Sequence, residues 1–300
     1  MTHHVRYALI AISLFAIKAF ATTVDLHHLP LGDGKISNEP KVGWIWACHI
    51  DPNGRGAFRN GPWIHDDGFY DQLAKPIVQG DIRWTPSLSI QLQGENRIIT
   101  TNDLPYHGTG AFPISNSDLA YQYDRNPNSI QIQNMTVTLP ANPTLDSMPH
   151  CAPGAVGILL SGTVLFNALD APGRDAVAHE IQDQCQGHPQ VSGVYHYHSI
   201  SSCVIDTPDE TGHSALVGYA LDGFGIYGKK GEHGEELTSA DLDECHGHTH
   251  TITWDERKIQ MYHYHATADF PYSVGCLKGN FSMQNVRTIS GPPPMWRNRP

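Results

Sequence analysis

One pattern of residues occurs twice in this chain. Asp183-Gln-Cys185-Gln-Gly-His188 leads within a few residues to Tyr195-His196-Tyr197-His198 and then to Cys203. Asp243-Glu-Cys245-His-Gly-His248 leads to Tyr262-His263-Tyr264-His265 and then to Cys276. Chance does not repeat so long a pattern in one order, so a single supersecondary unit is used twice. Side chains alternate faces along a strand, which puts His196 and His198 on one face and Tyr195 and Tyr197 on the other. His263 and His265 share a face in the same way, and Ile259 and Met261 extend it.

A His-x-His strand holds two imidazoles at the separation one metal ion accepts, and a third histidine from a nearby loop completes a three-nitrogen site with a position left open. His188 and His248 are the natural third ligands. His246 and His250, spaced two residues either side of His248, are spare donors in the second copy. The expected metal ligands are therefore His188, His196, His198, His248, His263 and His265. Neutral imidazole suits copper, zinc, nickel and iron alike. A donor set rich in histidine and poor in methionine, with the cysteines oxidised, favours copper over zinc.

The cysteines point to an oxidising compartment. Arg6, an apolar run and Ala19-Phe20-Ala21 give residues 1–21 the form of a cleavable signal peptide. Lys18 keeps the run too short for a membrane anchor, and no later segment is apolar enough to span. Six cysteines remain, an even number that makes up to three disulfides the default outside the cytoplasm. Fifteen pairings exist for six cysteines. The simplest closes each repeat on itself, Cys185 with Cys203 and Cys245 with Cys276, and leaves Cys48 for Cys151. With 19 Lys+Arg against 30 Asp+Glu and a formal charge of −11, the chain offers no basic surface for nucleic acid.

Twenty-eight Gly and 21 Pro make the chain turn-rich, which favours short strands over long helices. Leu88, Ile90 and Leu92 alternate with polar residues, as do Ile130 and Ile132, and both stretches read as half-buried strands. After Asn134 the apolar phase slips to Met135, Val137 and Leu139, which a β-bulge near Asn134 would explain. Asp175 could cap a short helix over residues 176–183, and Ser239 another over 240–243. The expected fold is mainly β, an antiparallel sandwich or barrel-like set of sheets with a few short helices, stapled by disulfides. Residues 22–290 read as one β-rich region and residues 291–300 as a Pro-rich tail.

These residues resemble the YHYH family of exported, largely uncharacterised proteins, named for the tetrapeptide. Beyond both Tyr-His-Tyr-His copies, the resemblance is carried by Asn167-Ala-Leu-Asp170, by Gly173-Arg-Asp-Ala-Val-Ala-His-Glu180, by the segment from His213 to Gly228, and by Phe270-Pro-Tyr272 leading to Cys276. It covers about residues 154–280. Gly225 departs from it, standing where the family usually has Pro. The resemblance implies no established activity. The Gly223-x-Gly225-x-x-Gly228 run matches a dinucleotide fingerprint in form, but Lys229-Lys-Gly-Glu follows where a helix would have to open. Asp222 is the carboxylate placed to orient a ligating histidine, and it reads equally well as a turn residue.

Three readings of function follow. The first is an exported metal-binding protein, with copper ahead of zinc. The second is an extracytoplasmic metalloenzyme built on a three-histidine open site, either a zinc hydrolase or lyase or a copper oxidoreductase. The third is a structural or adhesive module in which Tyr and His only pack.

Overall fold

The computed structural model of the chain describes residues 24–290. The signal peptide read at residues 1–21 and the tail at 291–300 lie outside the described residues. β1 (Leu29–Pro30) and β2 (Phe69–Tyr70) form a small antiparallel pair. The alternation at Leu88, Ile90 and Leu92 becomes β3 (Leu88–Gln93), joined to β4 (Asn96–Thr101) and β5 (Met135–Pro140) in a three-stranded antiparallel sheet. On β5, Met135, Val137 and Leu139 are buried while Thr136 and Thr138 face solvent. β6 (Leu145–Cys151) pairs with the last strand, β15 (Cys276–Gly279).

The remaining strands make one eight-stranded sheet. They are β7 (Ala155–Leu159), β8 (Val164–Phe166), β9 (Gly187–Pro189), β10 (Tyr195–Tyr197), β11 (Leu216–Ala220), β12 (Gly225–Tyr227), β13 (Gly247–Trp254) and β14 (Arg257–His265). Their spatial order, β13-β14-β12-β11-β7-β8-β10-β9, has the same plan read from either end. Each half is a hairpin, then a parallel neighbour, then an outer antiparallel strand. The halves meet where Ile158 on β7 stands opposite Tyr219 on β11. Gly157 and Gly218 let the backbones close there: a Cβ on either would come within 2.7 Å of a carbonyl oxygen across the seam. Both halves also break register at the same place, between Ala155 and Gly157 and between Leu216 and Gly218. The repeated unit is therefore half of a sheet, longer than the pattern of cysteines and histidines that betrays it.

The fold is β-rich with three disulfides, Cys48–Cys151, Cys185–Cys203 and Cys245–Cys276, the pairing that parsimony selects. The large sheet is mixed, because the segments from β8 to β10 and from β12 to β14 are long enough to return the chain in the same direction. Among the described residues no helix is long and apolar enough to cross a membrane.

Four local expectations are corrected. Residues 130–133 lie outside any ladder, with the Gln131 and Gln133 amides bonded to the carbonyls of Gly193 and Asn102. Ile130 is buried and Ile132 is exposed. The phase slip at Asn134 therefore marks where β5 starts, not a bulge. The helix capped by Asp175 is α1 (Ala176–His179), four residues long. It stops because the Ile181 amide donates to Asp124 Oδ2 at 3.0 Å and Lys75 Nζ takes the Val177 carbonyl that a further turn would have used. At the second place Ser239 opens a 3-10 turn, Ser239–Asp241, instead of capping it. Its hydroxyl donates to the Phe270 carbonyl at 2.7 Å, and Thr238 caps the turn with Asp241. Near the end of the described chain, α2 (Met283–Ser290) buries Val286 and Ile289.

The Asp-x-Cys-x-Gly-His turn has one construction in both copies. Asp183 Oδ1 accepts the amides of Cys185 and Gly187 at 2.9 and 3.2 Å, and Asp243 Oδ1 those of Cys245 and Gly247 at 2.9 and 3.0 Å. The first tyrosine of each Tyr-His-Tyr-His donates to that carboxylate, Tyr195 to Asp183 at 2.9 Å and Tyr262 to Asp243 at 3.0 Å. The glycine is required because the tyrosine passes over it. A Cβ on Gly187 would sit 2.2 Å from the Tyr195 ring, and one on Gly247 2.5 Å from the Tyr262 hydroxyl and 2.4 Å from the His263 carbonyl. Overpacking of this kind costs about 1–3 kcal/mol. Gly187→Ala and Gly247→Ala should each lower the unfolding free energy by about that amount in denaturant titrations. Gly154→Ala, with nothing within 4 Å of its Cβ, should stay close to wild type.

Candidate metal centres

Strand register gathers the histidines of each repeat. His196 on β10 stands opposite His188 on β9, and His263 on β14 opposite His248 on β13. Paired residues share a face, so His188, His196, Val164 and Ile158 line the same face as Tyr219, Gly225, His263 and His248. Tyr195 and Tyr197 point to the opposite face and are fully buried. There Tyr197 donates to His107 Nε2 at 2.6 Å and Tyr264 donates to Asp222 Oδ2 at 2.6 Å.

In the first set the ring centroids of His188, His196 and His198 lie 4.5–5.4 Å apart, and each residue is 3% exposed. Backbone carbonyls orient two of the rings. Nδ1 of His196 contacts the Val194 oxygen at 3.3 Å, and Nδ1 of His198 the Asn167 oxygen at 2.5 Å. A carbonyl oxygen only accepts, so the ring proton sits on Nδ1 and Nε2 keeps its lone pair. The two Nε2 atoms are 3.2 Å apart. Neither His188 ring nitrogen has a partner. Beside them Glu180, which follows α1, brings Oε2 to 3.5 Å from Nε2 of both His188 and His198. That oxygen also has no hydrogen-bond partner.

The second set is larger. Nδ1 of His263 contacts the Met261 oxygen at 3.1 Å and Nδ1 of His265 the Gly228 oxygen at 2.7 Å. Their Nε2 atoms are 3.2 Å apart, His248 Nε2 lies 3.1 Å from that of His263, and His213 Nε2 lies 3.1 Å from that of His265. The His250 ring sits 4.5–4.9 Å from those of His213, His248 and His263. Two nitrogens bound about 2.0–2.1 Å from one tetrahedral ion are about 3.3 Å apart. Both sets hold nitrogen lone pairs at that spacing and could hold a metal ion.

All six sequence-selected histidines are thus brought together in two groups of three. His213 and Glu180 join them from elsewhere in the chain. The only advance sign was that both lie in the segments that resemble the YHYH family. Of the spare donors, His250 turns toward the second group. His246 turns away, in a left-handed conformation with its Nε2 3.0 Å from the Thr267 hydroxyl. Asp222 touches no histidine. It accepts from Tyr264 and from the amides of Gly279 and Phe224, and backbone carbonyls do the orienting. A third group, His107 with Cys185 and Cys203, offers no thiolate because its cysteines form a disulfide.

Residues 136–239 match the family model described as YHYH protein. The YHYH match takes in the first Tyr-His-Tyr-His, His188, Glu180 and His213. It ends before the second copy, which the register of the sheet nevertheless equates with the first. No curated protein and no solved structure matches the chain.

Burial sets the protonation of both groups. It pushes His198 and His213 down to about 4, the latter aided by His250, and holds His188, His196, His263 and His265 well below the ordinary histidine range. Burial, with the carboxylates of Asp124 and Asp170, raises Glu180 well above its ordinary value. The unfolded chain protonates these rings near pH 6.5, before the folded chain does. Each ring therefore removes stability as pH falls from about 6.5 toward 4. In the metal-free chain, imidazole NMR signals of His198 and His213 should titrate with midpoints near pH 4. His27, raised by its bond to Asp71, should titrate above 6.5. A midpoint above pH 6 for His198 or His213 would contradict the burial argument.

Proposed function

We propose that the chain is an exported metal-binding protein that takes one ion at each histidine group, copper in preference to zinc. The observation that carries this reading is the convergence of Nε2 lone pairs in both groups. With the Nδ1–H groups of His196, His198, His263 and His265 committed to backbone carbonyls and the rings too buried to be protonated near neutral pH, the Nε2 pairs His196–His198 and His263–His265, each 3.2 Å apart, repel one another unless a cation lies between them. A module in which histidines only pack would have no reason to aim their lone pairs at each other twice. Disulfides in all three cysteine pairs support an oxidising compartment and leave imidazole as the donor that selects the metal. Nitrogen donors of this type bind Cu(II) more tightly than Zn(II).

Access weighs against catalysis at the first group. An enzyme needs an exchangeable position that substrate can reach, and here the three rings are almost wholly buried, with Glu180 Oε2 lying 3.5 Å from His188 and His198.

Elemental analysis of the tag-free mature chain, after incubation with equimolar copper and zinc and removal of free metal, should find close to two copper ions per chain. The pair His196→Ala, His198→Ala should lose one, and the pair His263→Ala, His265→Ala the other. A chain that stays metal-free would overturn the reading, and one that fills with zinc would overturn the choice of copper.

A further inference from the structure

The two groups differ in what surrounds them. In the first, the histidines are 3% exposed, Glu180 Oε2 lies 3.5 Å from His188 and His198, and Gln190, two residues after His188, is tied by its amide to Ser192 Oγ at 2.8 Å and to the Ser290 carbonyl at the end of α2 at 2.6 Å. The second repeat has His250 at the place of Gln190. His250 lines a cavity of about 440 Å³ with Asp209, Glu232 and His233. Its Nδ1 has no hydrogen-bond partner and faces Glu232 Oε1 at 3.6 Å, while the ring packs against His213, His248 and His263. Lys258, the one lysine among the lining residues, reaches out to Glu210 at 3.2 Å, so the wall beside His250 keeps its negative character.

We infer that the repeats have diverged into a closed site, His188, His196, His198 and Glu180, that retains its ion, and an open one that exchanges a hydrated transition-metal cation through the cavity walled by Asp209, Glu232 and His250. The inference rests on the metal-binding reading above and deepens it. Asp209 and Glu232 concentrate cations at the mouth. His250 takes the ion from them as the outermost imidazole and passes it inward to His213, His248, His263 and His265. Water reaches the second ion by that route, and the first ion is deprived of it by Glu180 and the Gln190–α2 contact. The charges agree: Glu180 is the acid beside the first ion, where no solvent can offset its charge, and the uncharged imidazoles of the second group leave that task to acids at the surface.

The test loads the full-length mature chain with Cu(II), removes free metal and adds excess EDTA, following retained copper by elemental analysis over time. One equivalent should leave quickly and the other at least about tenfold more slowly, because the shell around a site governs solvent access. The fast equivalent should be missing from the His263→Ala, His265→Ala chain, and the slow one from the His196→Ala, His198→Ala chain. Asp209→Asn with Glu232→Gln should keep two coppers per chain while slowing both loading and release of the fast one several-fold. Equal release rates, or a fast phase that follows the first group, would overturn the division of roles and leave two-site binding intact. Absence of bound copper before EDTA is added would instead sink the metal-binding reading itself. Circular dichroism of each variant separates loss of ligands from loss of fold.

Discussion

Everything in the large sheet that brings histidines together depends on one carboxylate oxygen in each repeat. Oδ1 of Asp183, and of Asp243 in the second copy, holds two amides of the tight turn and the hydroxyl of the tyrosine on the strand opposite. Hydrogen bonds to an ionised group contribute about 1.5–3 kcal/mol each, so three of them outweigh the cost of ordering a turn that has a residue in the left-handed region. Gln186 and His246 are those residues, at φ 60° and 75°. The same bonds fix register. Gly187 must lie opposite Tyr197 for the tyrosine ring of Tyr195 to reach the carboxylate, and a slip of one residue would send every histidine to the other face. The disulfide from the adjacent cysteine then ties the turn to a distant segment, Cys185 to Cys203 and Cys245 to Cys276.

The sequence makes the outer part of each repeat legible because that part is written in rare residues. Cysteine, histidine and tyrosine at fixed spacing reveal the turn, the strand pairing of histidines and the disulfides. The inner part, β7 with β8 and β11 with β12, is written mostly in Val, Ile, Leu, Ala and Gly, with Phe166, Tyr219 and Tyr227, and is buried on both faces along nearly its whole length, so alternation cannot mark it. Val156-Gly157 against Val217-Gly218, the turn glycines Gly162 and Gly223, at φ 90° and 92°, and the aromatics Phe166 and Tyr227, which pack on His196 and His263, preserve the likeness there. His213 and Glu180 were beyond reach for a different reason. Neither belongs to the repeated pattern, and tertiary packing alone carries them to the rings. Asp222 misled because an Asp beside a turn can serve several donors, and here the buried Tyr264 hydroxyl is the closest.

The way the rings are oriented also limits the chemistry. Carboxylates behind ligating histidines make the imidazole more basic and add charge, whereas a carbonyl only fixes the tautomer and the ring plane. His196, His198, His263 and His265 all have carbonyls behind them. Such rings are preorganised neutral donors, which lowers the ordering cost of taking up an ion but leaves its charge unbalanced in a buried place. Balance has to come from a carboxylate near the ion or from solvent. On the proposed reading, the first repeat supplies the carboxylate with Glu180 and shuts out water. The second supplies imidazoles in its place and opens on an acidic cavity. One scaffold, duplicated and kept in register to the residue, would thus meet the same electrostatic requirement in two ways, and the choice between them would fix how readily each group gives up an ion.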